Sequence, residues 1–361
     1  MLRRNIACGG TALLLAACVA VTGAGCSSQP SSGGSAAGDS AQAEAAAPEP
    51  AAEAVAADLY REAIASPASY FENKGLDSAV VKGAQYTYAL AKVENLDTPA
   101  LLLCAHSDEA QWGGIDVVCV LYVDANGALA DYGSTLSRGV ASVGGFRGEI
   151  YASAYADGLL TSEVSSGTGS AAYARLSFDG QEWARRQVYT GKLMLETACA
   201  APIEAEQREL TWTAVDDSSV LDALADGTWT SNVDASAADA TTSAQQAGLQ
   251  VLTGTLRVLD TNGLCALQGV SDPSPGYPQA NAFTVLVFDE KTQVTAKNGD
   301  GDGSSTGEAS MILLARDDAA WNAYDGQQVT IATDPSATWW PSDASLPLGQ
   351  PKVAAFTVLS E

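Results

Sequence analysis

Tyr86, Tyr88 and Leu90 alternate with Thr87, Ala89 and Ala91, and this period of two opens a series of short apolar runs. Alternation places successive side chains on opposite faces of an extended chain, so each run reads as a strand. Further runs lie at 100–105, 115–123, 148–156, 159–164, 171–177, 183–189 and 210–215. Asp124-Ala125-Asn126-Gly127 and Asp179-Gly180 between them carry turn chemistry. Short strands joined by tight turns predict an antiparallel β meander, sandwich or propeller-like, over residues 57–228. One helix leads it. Residues 57–66, with Val55 just before them, place Val55, Leu59, Ala63 and Ile64 on one face and Asp58, Arg61 and Glu62 outside, and Pro67 ends the run.

A second β pattern occupies 248–361. Strands are expected at 249–259, 264–269, 281–288, 308–315, 327–333 and 352–359. Asp317 or Asp318 caps a short helix through Trp321 and Tyr324. Three main strands, a short helix and two strands follow the order of an OB-like β-barrel, and Tyr324-Asp325-Gly326-Gln327-Gln328-Val329-Thr330-Ile331 resembles the helix-to-fourth-strand passage of bacterial extracytoplasmic OB-type domains. Residues 229–247 have little apolar content and no periodicity, so they read as a linker, although 218–225 suits one or two helical turns. The fold class is therefore mainly β in two domains.

Charge and composition exclude several functions. With 18 Lys+Arg against 43 Asp+Glu the net charge is −25, which leaves no cation excess for nucleic-acid phosphates. A single histidine, His106, rules out multi-His metal sites. It lies next to Ser107, Asp108 and Glu109, but no Gly-x-Ser-x-Gly elbow supplies a nucleophile, so a solvated loop histidine is expected. The glycine-rich stretches 144–148 and 167–169 lack a following Lys-Ser/Thr and read as hairpin loops, not phosphate cradles.

The N-terminus has the layout of a secretory signal. Met1-Leu2-Arg3-Arg4-Asn5 is basic and 6–24 is apolar and small. Gly23-Ala24-Gly25-Cys26 resembles the lipobox of bacterial lipoproteins, with Gly23 where that family usually has Leu or Val. The resemblance implies that 1–25 is a lipoprotein signal peptide and that Cys26 is lipidated. Leu15-Ala16-Ala17-Cys18 offers a rival box, with Cys18 as the anchor. Residues 26–56 are Ser, Gly, Ala, Pro, Gln and Glu almost throughout, a disordered tether. Acyl chains on such a tether imply a cell-membrane anchor on the extracytoplasmic face. The layout is similar to uncharacterised surface lipoproteins of high-GC Gram-positive bacteria.

Residues 88–103, Tyr-Ala-Leu-Ala-Lys-Val-Glu-Asn-Leu-Asp-Thr-Pro-Ala-Leu-Leu-Leu, resemble one FG-GAP/VCBS-type strand–loop–strand unit. The family's loop carboxylates hold calcium, whereas Lys92, Glu94, Leu96 and Ala100 stand at the matching positions. An ammonium and an aliphatic chain cannot serve a cation that needs six to eight oxygens, so the resemblance implies a frame without its metal. Asn298-Gly299-Asp300-Gly301-Asp302-Gly303 begins like an EF-hand loop, but Ala309 occupies the twelfth position and Glu308 falls one residue early, so a hairpin turn is expected. No cofactor is expected. Cys104 and Cys119 lie in two apolar runs that, as neighbouring strands, either bridge or pack as small hydrophobes.

Tyr277, Trp339, Trp340 and Asp343 are the candidate binding residues. Two bulky rings in an extended loop tend to diverge, so one of Trp339 and Trp340 stays partly exposed, where it can stack on a protein or glycan partner. The function expected is a non-enzymatic binding or interaction module. A structural envelope lipoprotein is the alternative, followed by an envelope-polymer hydrolase using Asp317/Asp318 or Asp216/Asp217. Adjacent carboxylates splay apart and rarely make an acid/base pair.

Overall fold

The computed structural model describes residues 51–361 apart from 73, 75, 77, 107–113, 142–144, 193–196, 232, 274, 277–279 and 300–302. Cys18, Cys26, Tyr277 and the expected signal peptide lie outside the described residues, as do all but the last few residues of the expected tether.

Helix α1 (Ala52–Ala65) buries Ala56, Ala57, Tyr60, Ala63 and Ile64. The buried face is therefore rotated from the expected one, and Val55 is 36% exposed. Tyr60 decides the rotation, because its hydroxyl donates to the Pro99 carbonyl at 2.7 Å and its ring is buried in one cluster with Leu101 and Leu103. Two short helices, α2 (Ser69–Glu72) and α3 (Ser78–Gly83), lead into the sheet.

Strands β1 (Gln85–Ala91), β2 (Ala100–His106), β3 (Ile115–Val123) and β4 (Leu129–Val140) pair antiparallel in chain order. Strand β4 has no counterpart among the expected strands. It is polar and glycine-bearing, and Leu136 is its one buried residue, so it shows no apolar run. The meander continues through β5 (Phe146–Ser153), β6 (Leu159–Ser165), β7 (Ser170–Phe178) and β8 (Trp183–Lys192). Strands β4 and β5 meet at Gly139↔Gly148 and Val140↔Arg147. Gly139 has φ +108°, and a Cβ there would lie 2.6 Å from the Gly114 carbonyl oxygen, so only glycine fits this corner. Next come α4 (Ala201–Glu206), β9 (Gln207–Arg208) against β5, β10 (Thr213–Ala214) against β1, and α5 (Ser219–Ala225), the last as expected.

The stretch read as a linker contains helix α6 (Ala237–Gln246), closed by a Ser236–Asp239 capping box. Ala240 and Ala244, one turn apart, are buried. Small side chains make this contact, and they leave no apolar contrast to read in the sequence. Strand β11 (Gln250–Leu259) is followed not by a strand at 264–269 but by helix α7 (Thr261–Gln268). Asp260 accepts from the Gly263 N–H at 2.6 Å, and Gly269 closes the helix at φ +68°. These end signals outweigh the apolar Leu264 and Cys265. Strands β12 (Phe283–Lys297) and β13 (Ser304–Arg316) form a long hairpin, with Lys297 opposite Ser304. A 3-10 turn over Ala319–Tyr324 starts at Asp318, whose side chain accepts from the Ala320 N–H. Then come β14 (Gln328–Thr333), β15 (Thr338–Trp339), β16 (Lys352–Val353) and β17 (Thr357–Ser360).

The protein is mainly β, as expected, and among the described residues all strand pairs are antiparallel except β12 with β15 and β13 with β16. Strand β2 is buried on both faces, which explains its unbroken Leu101-Leu102-Leu103-Cys104 run. Leu101 and Leu103 pack with Tyr60 and Leu221 of the helices, whereas Leu102 and Cys104 pack with Ile150, Leu159 and Leu176 of β5–β7. Glu49–Glu361 forms one compact unit. Thr357 of β17 pairs with Tyr189 of β8, and Val188, Tyr189, Ile203, Leu252, Trp321 and Phe356 belong to a single apolar cluster. Among the described residues, no helix is long and apolar enough to cross a membrane.

The same register settles the Cys104–Cys119 alternative. Leu103 is opposite Cys119 and Cys104 opposite Val118, so the two thiols point to opposite faces of the sheet. Cys104, Cys119, Cys199 and Cys265 are all buried thiols, none in a disulfide. Burial pushes Cys104 and Cys119 up to about 12. An Ellman assay without reductant on the chain with Cys8, Cys18 and Cys26 replaced by Ser should therefore find these four thiols in urea and almost none under native conditions. Two missing thiols in urea would mean a bridge and a different β2–β3 register.

Candidate functional site

Strands β15 and β16 are short, but their register builds the site. Trp339 is directly opposite Lys352, and Thr338 opposite Val353. Cross-strand partners share a face. Thr338 and Val353 therefore turn inward, where the Thr338 hydroxyl lies 3.2 Å from that of Thr333, and Trp339 and Lys352 share the other side. Trp339 is 37% exposed, the largest exposed ring among the described residues, while Lys352 is 6% exposed.

Trp340 diverges from its neighbour, as the extended loop predicts. Its backbone N–H donates to the Lys297 carbonyl at 2.8 Å, and its indole N–H reaches the Ser305 carbonyl at 3.4 Å. The ring lies over Gly307, where a Cβ would come within 3.0 Å of it. Trp340 is thus half-buried on the β12–β13 hairpin and takes no part in the cavity beside Trp339. Iodide should quench Trp339 preferentially. Trp339→Phe is expected to remove more of the quenchable fluorescence than Trp340→Phe, and the reverse order would mean that the two rings exchange places.

A cavity of about 590 Å³ opens beside Trp339. Val353, Phe356 and Trp321 supply apolar wall, and Arg316, Lys352 and Asp343 supply charge. Arg316 ends β13; its guanidinium donates to the Leu346 carbonyl at 2.8 Å and lies 5.5 Å over the Phe283 ring. Lys352 donates to the Ser345 hydroxyl, and Ser345 in turn donates to Asp343 through both its hydroxyl and its backbone N–H. The Lys352 ammonium lies 3.9 Å from the Asp343 carboxylate. Burial, and then the Arg316 charge, push the Lys352 pKa down, whereas the Ser345 hydrogen bonds hold the Asp343 carboxyl below its usual range. Asp343 is thereby an ionised acceptor. The indole N–H of Trp321, a fully buried side chain, has no hydrogen-bond partner among the described residues.

Of the expected binding residues, the cavity gathers Trp339 and Asp343 and not Trp340. Arg316, Ser345 and Lys352 were not singled out from sequence. Each sits in an unremarkable polar or mixed stretch, and only the parallel pairing of Leu313 with Lys352 draws the two cations together.

The other candidates resolve differently. His106 ends β2 and is not in a loop. Its Nδ1 bonds to Asp116, and Arg138 lies 3.7 Å from Asp116 and 3.4 Å from Glu149, with its guanidinium 4.6 Å over the Trp212 ring. Asp317 and Asp318, considered for acid/base work, accept from the backbone N–H groups of Asn281, Ala282 and Ala320. Asp217 likewise accepts from the Ser219 N–H. The 92–99 segment joins antiparallel β1 and β2, and Lys92 donates its ammonium to the Leu96 carbonyl at 3.2 Å. Asn298 and Gly303 close the β12–β13 turn, while Asp300 and Asp302 lie outside the described residues. No cluster of metal-ligating side chains occurs among the described residues. The chain matches no protein-family model, no curated protein and no solved structure.

Proposed function

We propose that this protein is a lipid-anchored, extracytoplasmic binding module that acts without catalysis, with the cavity beside Trp339 as its ligand site. One observation carries the reading. An exposed aromatic face, two cations and an ionised acceptor converge on a cavity whose volume falls in the range typical of small-molecule sites. Support for the anchor comes from Gly23-Ala24-Gly25-Cys26 and the tether after it. Support for an OB-like reading of 248–361 comes from the pairings β11–β12, β12–β13, β11–β14 and β14–β17 together with parallel β13–β16. The sandwich or propeller-like reading of 57–228 rests on its antiparallel meander. A protein or glycan partner fits such a module, and nucleic acid does not suit a chain of charge −25.

Two experiments test the reading. Cys26→Ser is expected to move the protein from the membrane fraction to the soluble one, and release by Cys18→Ser instead assigns the anchor to Cys18. A thermal-shift screen of small organic ligands should yield compounds that raise the Tm of the full chain and fail to raise that of Trp339→Ala, since a ligand that binds only the folded state stabilises it. Equal shifts in both proteins would place binding elsewhere.

A further inference from the structure

The charges of the cavity do not balance. Among the described residues that line it, Arg316 and Lys352 are opposed by Asp343 alone, so this lining carries one net positive charge inside a chain whose net charge is −25. A neutral ligand leaves that charge uncompensated, and so does a zwitterion. A monoanion cancels it. Asp343 excludes a second anionic group nearby by like-charge repulsion, and its ionised oxygens call for donors such as hydroxyls. Trp339 lines the cavity and is 37% exposed, and such an aromatic surface suits stacking on a ring that carries C–H groups on one face and hydroxyls at its rim. Three requirements therefore meet in one cavity: a single carboxylate on the Arg316/Lys352 side, hydroxyls toward Asp343 and Ser345, and a ring over Trp339.

We infer that the cavity binds a monoanionic sugar acid, a pyranose ring bearing one carboxylate, with the carboxylate between Arg316 and Lys352 and one ring face on Trp339. The inference rests on the reading of this cavity as the ligand site and adds the chemical class. A carboxylate between a guanidinium and an ammonium makes charge-assisted hydrogen bonds to both. Sugar hydroxyls reach the Asp343–Ser345 pair, which already forms a continuous hydrogen-bonded run with Lys352.

The test uses the full chain in detergent, with Trp fluorescence and calorimetry as readouts. The probes are D-galacturonate, D-galactose and cyclohexanecarboxylate, which carry ring, hydroxyls and charge, ring and hydroxyls only, and ring and charge only. Galacturonate is expected to bind saturably, and the other two at least tenfold more weakly. Raising salt should weaken galacturonate and leave galactose unchanged. Arg316→Met and Trp339→Ala, both exposed positions, are each expected to weaken galacturonate about tenfold while the melting curve stays near that of the wild type. Galactose binding as tightly as galacturonate overturns the anionic class, and cyclohexanecarboxylate binding as tightly overturns the sugar. Silence from all three probes overturns the inference. If the ligand screen still finds Trp339-dependent compounds, the binding site itself stands; if it finds none, the binding reading falls as well.

Discussion

Replacing Arg175 with Met is expected to destabilise the fold by about 3–5 kcal/mol, the usual cost of stranding a buried charge. Arg175 is 6% exposed and Glu206 2%. The guanidinium donates to Glu206 Oε2 at 2.7 Å, and its Nε lies 3.1 Å from Asp157. The Ser153 hydroxyl donates to Glu206 Oε1 at 2.8 Å. Loss of Arg175 leaves two carboxylates without their cation where β5, β7 and α4 converge. Burial raises the Glu206 carboxyl to about 7, against the opposing pull of Arg175. The sign of the pH dependence follows. A carboxyl with a pKa of about 7 when folded and an ordinary value of 4.5 when unfolded makes the folded state the better proton binder between those values. Its contribution is complete below about 4.5 and is lost as pH rises through about 7. Glu206→Gln should flatten this slope, and Arg175→Met should be more harmful at pH 8 than at pH 5, because protonation of Glu206 lessens the charge left stranded. Urea unfolding at both pH values measures this. An Arg175→Met midpoint equal to wild type at pH 8 would show that the cluster is solvated.

Trp321→Ala is expected to cost about 3–5 kcal/mol, the range for emptying a large aromatic from a packed core. Trp321 is fully buried, with the Phe356 ring 4.4 Å away and the Tyr324 ring 5.9 Å away, centroid to centroid. It ties the 3-10 turn capped by Asp318 to the segment before β17, and it forms part of the cavity wall. Trp321→Phe should cost much less. The lost indole N–H has no partner to strand among the described residues, so only volume is removed. Chemical denaturation of both variants checks the pair. Equal losses would mean that the N–H does hold a hydrogen bond in solution.

Much of the architecture was legible because its signals are local. Alternating Tyr88 and Leu90, the Asp124–Gly127 turn and the Asp318 cap each act within a few residues. Helices α6 and α7 were missed for opposite reasons. Helix α6 buries alanines, which carry little apolar contrast, and α7 is set by Asp260 and Gly269 at its ends, whereas Leu264 and Cys265 suggested a strand. Strand β4 was invisible because its place in the sheet comes from β3 and not from its own side chains. At the cavity, Trp339 and Asp343 stood out as an unusual ring and carboxylate in a loop. Arg316, Ser345 and Lys352 did not, since nothing in their own neighbourhoods distinguishes them.

Sequence alone determined the mainly β class, the acidic balance and the divergence of Trp339 from Trp340, because composition and backbone alternation are properties of the chain itself. Tertiary structure decided which groups meet. Register put Cys104 and Cys119 on opposite faces of one sheet and Trp339 across from Lys352. Parallel pairing brought Lys352 beside Leu313 and so toward Arg316. These residues are far apart along the chain, and their approach depends on hydrogen-bond register and the packing of both sheet faces, in which a shift of one residue turns every side chain to the other side.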